Sequence, residues 1–511
     1  MSRFDATTIR PPATGPLRTE VATVGRSHEG GTGSARDART ELFLLAVTKP
    51  VREDTFPETD GARDDRYRRL VGQLSVDDPE WMARFLRWLR TDANMRWAAL
   101  VGAAEFTRSR LEAGEHGYSR QVVGSVLQRA DEPGEMLAYW RATYGRKLPQ
   151  PIKRGVADAV ARLYTERALL KYDTPSRGYR FGDVLDLVHP TPRSAQQGDL
   201  FEHALARRRG RDSPIPPSLA TVQARADLQA VPVSERPHLL TAPEGAARLG
   251  PAAMTWESVA GWLQAPMDRQ TWEAIIPRMG YMGLLNNLRH FDEAAVSDDV
   301  AAKVAGRLQD PEQVSRSRQL PLRFLSALDS VRPPRWSAAL ERALEASLDR
   351  VPRLSGRTLI LVDTTEPMHA ATVFGLALAR RAERADVVSA DTAGGMFPMH
   401  PGESLLGATD RWSATGYLRS GGADTAAAAA EFFDGHDRVV ILTDARFRDA
   451  TPTGSGDVLP QDIPVYTFDP TDRTGSGPNR FTFGDPTDAC FAMLPVIESG
   501  RLAAWPWLGK H

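Results

Sequence analysis

The chain has 511 residues, 41% of them hydrophobic and 25% charged, which suits a soluble globular protein with several hydrophobic cores. No apolar run approaches the ~20 residues of a membrane-spanning helix and the N-terminus has no signal-peptide pattern, so we expect a cytoplasmic protein without a membrane partner. The single cysteine, Cys490, excludes an intrachain disulfide framework and a cysteine-rich zinc cluster.

The first 30 residues are rich in Pro, Gly, Thr and Arg without periodic apolar spacing, which predicts a flexible arm. From Ala38 onward, apolar residues recur at three- and four-residue spacings, which predicts a long series of short helices. The predicted helices cover residues 41–47, 67–74, 79–89, 97–111, 121–127, 135–144, 152–170, 256–263, 282–288, 297–308 and 324–348. Antiparallel helix pairs stacked into a curved solenoid would bury the apolar faces of such a run.

A basic segment lies within this helical region, although the net charge of the chain is only −1. Residues 141–225 contain 16 Lys and Arg against 8 Asp and Glu. Three of the six lysines fall here, and the candidate phosphate-binding residues are Arg146, Lys147, Lys153, Arg154 and Lys171. On helices these side chains would bind phosphates without reading base sequence. The alternative is a solvated arginine-rich face.

The pattern changes at Gly356, where short apolar runs begin to alternate with helices. Strands are predicted at 357–363, 385–389, 438–444 and 465–468, and helices at 370–381, 423–433 and 489–498. This alternation predicts a doubly wound α/β domain. Two strands end in a carboxylate, Asp363 and Asp444, and both residues would lie at the carboxyl edge of the sheet, where such domains bind ligands.

Sequence motifs of common enzymes are absent. There is no phosphate-binding loop with Lys-Ser or Lys-Thr, no G-x-G-x-x-G after a strand, no H-E-x-x-H and no G-x-S-x-G. A phosphatase with Asp363 as nucleophile would need a general acid two residues later, and Thr365 stands there. Since a threonine cannot supply that proton near neutral pH, we expect a protein that is not an enzyme.

The loop after the first strand of the α/β region resembles the D-x-S-x-S loop of von Willebrand factor A domains, which hold one divalent ion. Asp363 and Thr365 match its first two ligand positions, and Asp444 matches the final carboxylate. Pro367 and Ala423 replace two further oxygen ligands, so we expect this degenerate site to bind Mg²⁺ weakly or not at all. The alternative role for Asp363 is to cap a helix N-terminus or to accept from loop amides.

The helical region resembles the TROVE module of the Ro autoantigen family, on motifs that occur in order along residues 38–330. They are the segments at 40–48, 53–58 and 94–96, Lys171-Tyr-Asp, Asp183-Val-Leu-Asp-Leu-Val-His189-Pro-Thr-Pro192, Gly280-Tyr-Met-Gly-Leu-Leu-Asn-Asn-Leu-Arg289 and Arg318-Gln-Leu-Pro-Leu-Arg-Phe-Leu-Ser-Ala327. The resemblance implies a HEAT-like helical-repeat ring with a von Willebrand A-like domain after it. The expected domains are an arm at 1–30, a TROVE domain at 31–355 and an α/β domain at 356–511.

The same resemblance implies an RNA-binding protein. Its expected ligands are small non-coding RNAs similar to Y RNA and single-stranded ends of misfolded RNA, with no DNA specificity, and its partner would be an exoribonuclease such as polynucleotide phosphorylase. His189 matches a family histidine that contacts RNA, whereas its position before Pro190 also suits a helix C-cap. The alternative function is a metal-dependent protein-binding module that uses the α/β domain. Trp97, Tyr139, Trp140 and Tyr144 are interpreted as core residues.

Overall fold

A computed structural model describes residues 25–26, 32–33, 37–47, 60–211, 213–242, 244–331, 335–362, 369–390, 395–414, 425–443, 459–468, 479–483, 486–501 and 504–508. The chain forms two compact units. The first unit consists of residues 1–16, 52–279 and 506–511, and the second of residues 17–51 and 280–505. The domain limits expected from the sequence stay predictions.

The described residues of the first unit form helices joined by loops, with no β-strand. Its α-helices are α2 (Asp60–Asp77), α3 (Pro79–Thr91), α4 (Arg96–Glu112), α5 (Ser119–Val126), α6 (Glu132–Tyr144), α7 (Gln150–Leu163), α8 (Glu166–Tyr172), α9 (Phe181–Val188), α10 (Ala195–Arg208), α11 (Ala220–Gln229), α12 (Arg236–Thr241), α13 (Trp256–Leu263) and α14 (Arg269–Ile275). Near neighbours in sequence pack together, as α2 does with α4, α5 with α7 and α9 with α10.

Helix α3 shows how the sequence determines these elements. Asp78 caps the helix by accepting from the backbone N–H of Trp81 at 3.2 Å, and Pro79 occupies the first helical position. Trp81 and Phe85 lie one turn apart and stack with ring centroids 5.1 Å apart. Trp507, near the C-terminus, packs on both rings and on Trp88, so the 504–508 segment contributes a side chain to the core around α3.

A buried carboxylate links three helices of the first unit. Glu132, at the start of α6, has no exposed surface and accepts from Arg90 of α3 at 2.7 Å and from Arg96 of α4 at 3.0 Å. The same carboxylate accepts the backbone N–H groups of Gln128 and Arg129. All of its hydrogen-bonding capacity is therefore used, which is the condition under which a buried charge is tolerated.

The second unit combines helices with two sheets. Its α-helices are α1 (Ala38–Val47), α15 (Tyr281–Asn286), α16 (Leu288–Glu293), α17 (Asp298–Gln309), α18 (Pro311–Ser317), α19 (Pro321–Ser330), α20 (Ser337–Ser347), α21 (His369–Arg381), α22 (Leu405–Ala414), α23 (Thr425–Phe432) and α24 (Asp488–Arg501). Its strands are β1 (Gly25–Arg26), β2 (Thr32–Gly33), β3 (Leu354–Val362), β4 (Ala382–Ser389), β5 (Gly395–Phe397), β6 (Arg438–Leu442), β7 (Val465–Phe468) and β8 (Arg480–Phe483).

The main sheet has six strands in the order β5-β4-β3-β6-β7-β8, and only β5 runs antiparallel to its neighbour. Alternate residues of β3 point to opposite faces. Leu359 and Leu361 belong to a core cluster with Ala428 and Ala429 of α23. The other face takes α21, whose Gly375 lies so close to Ile360 that a Cβ there would be 3.3 Å from that side chain. Burial on both faces explains the continuous apolar runs of the central strands.

Strand β3 contains an irregularity at its start. Its pairing with β4 shifts register between Leu354 and Arg357, and Gly356 adopts φ +75°. A Cβ at Gly356 would lie 2.3 Å from the Asp437 carboxylate, which accepts the backbone N–H of Arg357 at 2.7 Å. Glycine is required there both by the left-handed backbone and by this close approach.

The predicted fold class is confirmed: helices fill most of the chain and a doubly wound α/β sheet follows them. Several element predictions are wrong in detail. The helix predicted at 152–170 is split into α7 and α8, and the one at 324–348 into α19 and α20. The elements missing from the prediction include strands β5 and β8 and helices α10, α11, α12, α14, α16, α18 and α22. The expected flexible arm lies outside the described residues except for β1, which pairs with β2 and was not predicted.

No described helix has the length and apolar character needed to cross a bilayer.

Candidate nucleic-acid interface

The basic segment at 141–225 extends from the end of α6 to α11, within the first unit. Arg146 and Lys147 lie between α6 and α7 and are exposed. On α7, Arg154 is exposed and Lys153 is half-buried, and on α8 Lys171 is exposed. All five cations predicted to bind phosphate therefore lie at a solvent-accessible surface.

Several arginines of the segment are neutralised by neighbouring carboxylates. Arg180 pairs with Asp173 at 2.8 Å, Arg208 with Asp183 at 2.7 Å and Arg209 with Asp186 at 2.7 Å. Arg177 pairs with Asp131 and Glu135, which lie in α6 or just before it. These guanidinium groups are internally compensated, so the excess of positive charge belongs to the remaining cations.

The carboxylates nearest to the predicted cations are already occupied. Asp158 lies one turn after Arg154 on α7, but it forms a two-point ion pair with Arg120 of α5 at 2.6 and 2.8 Å. Glu166 begins α8, and it accepts the backbone N–H groups of Thr221 at 2.7 Å and Val222 at 2.9 Å. Neither carboxylate pairs with a cation of α7 or α8. The spacing of acids along the helix thus fails to neutralise the basic side chains.

As a result, seven cations between residues 146 and 193 have neither an ion pair nor a side-chain hydrogen bond with the described residues. They are Arg146, Lys147, Lys153, Arg154, Arg167, Lys171 and Arg193, which we call the unpaired cations. Arg167 and Lys171 are four residues apart on α8 and share one face. The ammonium of Lys171 lies 5.2 Å from the centre of the Tyr172 ring, a cation–π distance that leaves its donors exposed.

Two of the unpaired cations, Arg167 and Arg193, line a pocket of about 420 Å³, together with the helix-capping residues Thr165 and Ser194. Ser194 caps α10 by accepting the backbone N–H of Gln197 at 3.2 Å. The N-terminus of α10 therefore opens beside two unpaired guanidinium groups. Glu166 also lines the pocket, but its carboxylate already accepts two backbone N–H groups. Two guanidinium groups therefore outweigh one carboxylate, and together with the helix dipole and donors they favour an anion at this position.

Arg162, at the end of α7, lies close enough to Arg193 for the two positive charges to interact. Its guanidinium donates to the carbonyls of Gly124 and Leu127, so it serves the C-terminus of α5. Burial lowers the pKa of Arg162, and the positive charge of Arg193 lowers it further. Arg162 therefore supports the fold, although its charge adds to the positive potential around Arg193.

His189 ends α9 and lies just before the loop that carries Arg193. Its backbone is left-handed, with φ 47° and ψ 60°, and its N–H donates to the carbonyl of Leu185 at 3.0 Å. The imidazole is exposed and makes no hydrogen bond with the described residues. The cap is therefore formed by the backbone of His189, and the ring is available for another partner.

The four aromatic residues predicted to lie in the core are buried to different extents. Trp140 is 3% exposed and donates its indole N–H to the carbonyl of Lys147, as expected of a core residue. Tyr139 and Tyr144 are half-buried and donate to the carboxylate of Glu105. For Trp97 the prediction is wrong: its side chain is 48% exposed, because it projects from the first turn of α4 and covers only the edge of Tyr139.

The residues predicted to bind a metal, Asp363, Thr365 and Asp444, lie outside the described residues, as do Pro367 and Ala423. The strands that precede the two carboxylates end side by side, because Val362 of β3 pairs with Leu442 of β6. Across the described part of the chain, no three His, Cys, Asp or Glu side chains are grouped so as to hold a metal ion. The degenerate Mg²⁺ site stays a prediction.

Sequence reasoning missed Arg193 and the pocket that it lines. A signal was present, since Ser194-Ala-Gln-Gln197 has the S-x-x-Q spacing of a helix N-terminus. The Gln197 side chain accepts the backbone N–H of Arg193 at 2.8 Å, which fixes the chain at the entrance to α10. That this arginine would lie near Arg167 depends on the packing of α8 and α10 and is not visible in the sequence.

Comparison with known proteins shows one partial family match and one shared fold. Residues 250–356 match the family model of the TROVE domain, a stretch that contains the TROVE-like motifs at 280–289 and 318–327. Comparison with curated protein sequences gives no match. The crystal structure of the Deinococcus radiodurans Ro (RSR) protein has the same fold, with a TM-score of 0.68 and 18% sequence identity over 90% of this chain and 98% of that chain. Residues 250–356 are therefore similar to a TROVE domain, and the chain as a whole shares the fold of the Ro (RSR) protein.

Proposed function

We propose that the protein binds small structured non-coding RNA through the unpaired cations of α7, α8 and the adjoining loops. The observation that carries this proposal is the commitment of Asp158 and Glu166 to other partners, which leaves Arg154, Arg167 and Lys171 uncompensated. A surface of uncompensated cations attracts phosphates, and the release of counterions supplies most of the binding free energy.

The pocket at Arg167 and Arg193 supports a more specific expectation. A guanidinium offers two parallel donors to a phosphate, and the N-terminus of α10 adds backbone N–H groups. We therefore expect one backbone phosphate of the RNA to occupy this pocket. The exposed imidazole of His189 would contact an adjacent nucleotide, either by stacking on a base or by donating to a phosphate.

The resemblance of the helical region to the TROVE module supports RNA resembling Y RNA, together with single-stranded ends of misfolded RNA, as the proposed ligands. An adaptor role toward an exoribonuclease such as polynucleotide phosphorylase is part of the same proposal. Phosphate contacts carry no sequence information, so the first probe is chosen for its structure. A stem-loop RNA with a single-stranded 3′ end contains both features and is the appropriate first probe.

The proposal is tested by fluorescence anisotropy of the labelled stem-loop at two salt concentrations. Lys171→Glu should weaken binding and reduce the dependence of log K on log salt by about 0.7 to 0.9 for each phosphate that the variant no longer neutralises. Lys303→Glu is the matched control, since Lys303 is also an exposed lysine on a helix, outside the basic segment. The double variant Arg154→Glu/Lys171→Glu should bind more weakly still.

Thermal unfolding of the same variants separates binding from folding. Because Arg154 and Lys171 are exposed and unpaired in the described structure, their replacement should shift the midpoint little. Equal affinity of Lys171→Glu, the double variant and Lys303→Glu would exclude the proposed surface. Equal affinity for a duplex DNA of the same length would exclude the expected preference for RNA.

A further inference from the structure

Another pocket of the first unit, of about 310 Å³, lies between α8, α10 and α11. It shares no lining residue with the pocket at Arg167 and Arg193. One part of its wall is apolar and is formed by Leu170, Val222 and Ala226. The other part is polar and contains Asp173, His203, Arg207 and Arg225. An apolar wall opposite a few convergent polar groups is the usual composition of a small-molecule site.

The carboxylate that lines this pocket, Asp173, already accepts hydrogen bonds from the protein. Asp173 is 4% exposed and accepts from the guanidinium of Arg180 at 2.8 Å and from the backbone N–H of Phe181 at 2.9 Å. Arg207 approaches the same carboxylate only to 3.7 Å, beyond hydrogen-bond distance. The hydrogen-bond donors of Arg207 are therefore available to a ligand.

Arg225 is 9% exposed and uses only part of its donor capacity. Its Nε donates to the carbonyl of Ala252 at 2.9 Å, and its Nη2 donates to that of Ala253 at 2.7 Å. Its Nη1 makes no hydrogen bond with the described residues. These two carbonyl contacts fix the guanidinium, so its remaining donors are held in place before a ligand arrives.

His203 adds a neutral polar group to the same wall. It is 8% exposed, and its buried Nδ1 has no hydrogen-bond partner among the described residues. Burial lowers the pKa of His203, and the charge of Arg207 lowers it further. The imidazole is therefore neutral near pH 7, and the pocket contains two guanidinium groups against one carboxylate that is already paired.

We propose that this pocket binds one nucleoside monophosphate unit, with its phosphate at Arg207 and Arg225 and its base against Leu170, Val222 and Ala226. Two guanidinium groups match the charge of a phosphate and offer it hydrogen-bond donors, and an apolar wall accepts the face of a base of any sequence. The unit is either a free nucleotide or one nucleotide of an RNA strand. This site goes beyond the RNA-binding surface proposed above, since it uses different residues.

Isothermal titration of the purified full chain with AMP and UMP tests the pocket. The critical variant is Ala226→Leu, which fills the cavity from α11. Ala224→Leu is the matched control, because Ala224 lies on the same helix, is equally half-buried and does not line the pocket. Nucleotide binding should weaken by roughly tenfold or more in Ala226→Leu and should be unchanged in Ala224→Leu.

Arg207→Gln provides a second variant that does not depend on fitting a larger side chain into the core. Its control is Arg211→Gln, an exposed arginine outside the pocket. Loss of a charge-assisted hydrogen bond should weaken nucleotide binding by roughly ten- to a hundredfold in Arg207→Gln alone. Absence of binding by the wild-type chain at about 1 mM nucleotide, or equal affinity of the pocket variants and their controls, would overturn the proposal.

Competition distinguishes the two sources of the nucleotide. If the pocket accepts a nucleotide of an RNA strand, a short single-stranded oligonucleotide should displace AMP, and Ala226→Leu should weaken oligonucleotide binding as well. If it accepts a free nucleotide, AMP should bind without such competition. Failure of the RNA-binding surface would be seen separately, as wild-type RNA affinity in Lys171→Glu, with nucleotide binding retained.

Discussion

The carboxylate of Asp488, at the start of α24, accepts the backbone N–H of Leu322 at 3.0 Å, 166 residues earlier in the chain. It also accepts the N–H of Arg323 at 3.1 Å, so Asp488 caps the N-terminus of α19 from outside that helix. Helix α19 has no capping side chain of its own, because Leu320 precedes it. Asp488 therefore supplies the acceptor that this helix end requires.

The first prediction concerns Asp488. Asp488→Ala should lower the free energy of unfolding by about 0.5 to 2 kcal/mol, the usual cost of losing a cap. Burial raises the pKa of Asp488 from 3.8 to about 6, so the folded chain binds more protons than the unfolded chain between these values. Its contribution to stability should therefore decrease as pH rises from 3.8 to about 6. Asp488→Asn, which keeps an acceptor oxygen, should remove this pH dependence. Urea unfolding across the range measures both effects, and an unchanged pH profile would contradict the assignment.

The second prediction concerns Glu132. Glu132→Gln should lower the free energy of unfolding by roughly 3 to 5 kcal/mol, because it leaves the buried guanidinium of Arg90 without its counter-charge. Glu135→Gln is the control, since Glu135 is 30% exposed and pairs with half-exposed Arg96 and Arg177. That variant should cost about 1 kcal/mol or less. Urea unfolding of both variants measures these costs. Similar losses of unfolding free energy in the two variants would show that burial of the Arg90–Glu132 pair is unimportant.

The third prediction concerns His203. Because its pKa lies below the value of 6.5 expected in the unfolded chain, the unfolded chain takes up the proton first as pH falls. Stability should consequently decrease as pH drops below about 6.5, and His203→Leu should reduce that decrease. His116→Gln, at an exposed histidine, is the control. A pH profile of His203→Leu that matches the wild type between pH ~5 and ~7 would refute the assignment.

The fourth prediction separates the two roles of His189. Because asparagine also tolerates the left-handed backbone, His189→Asn should change the free energy of unfolding by only a few tenths of a kcal/mol. His189→Val should cost about 1 to 2 kcal/mol, since a β-branched residue is strained at φ 47°. If the imidazole contacts RNA, His189→Asn should weaken the binding free energy by about 1 to 3 kcal/mol. Wild-type RNA affinity in His189→Asn, measured by anisotropy, would leave this residue with a backbone role alone.

Local patterns in the sequence were enough to predict the fold class and most helices. The split between α7 and α8 was missed because Tyr164 continues the apolar spacing of the helix. In the structure Tyr164 leaves the helical conformation and stacks on Phe181, with ring centroids 3.7 Å apart. Thr165 then caps α8 by accepting from the N–H of Ala168. Thr165 followed by Glu166 is a typical helix start in the sequence, but the packing of Tyr164 on Phe181 determines that α7 ends at this point.

The candidate site was only partly predictable. Composition located the basic segment, but a count cannot tell which cations are neutralised by distant carboxylates. Asp158 lies within reach of Arg154 along α7, and its actual partner, Arg120, is 38 residues away. The approach of Arg193 to Arg167 likewise depends on helix packing. Hydrophobic periodicity relates residues within one helix and cannot predict contacts between residues so far apart in the chain.

The packing of Trp507 on Trp81, Phe85 and Trp88 has a practical consequence for expressing parts of this protein. A fragment that stops after α14 would leave these three rings of α3 without the indole that covers them. Such a fragment would expose a hydrophobic patch and should aggregate, whereas a fusion that returns residues 504–508 through a linker should stay dispersed. Limited proteolysis that removes Trp507 should likewise loosen α3.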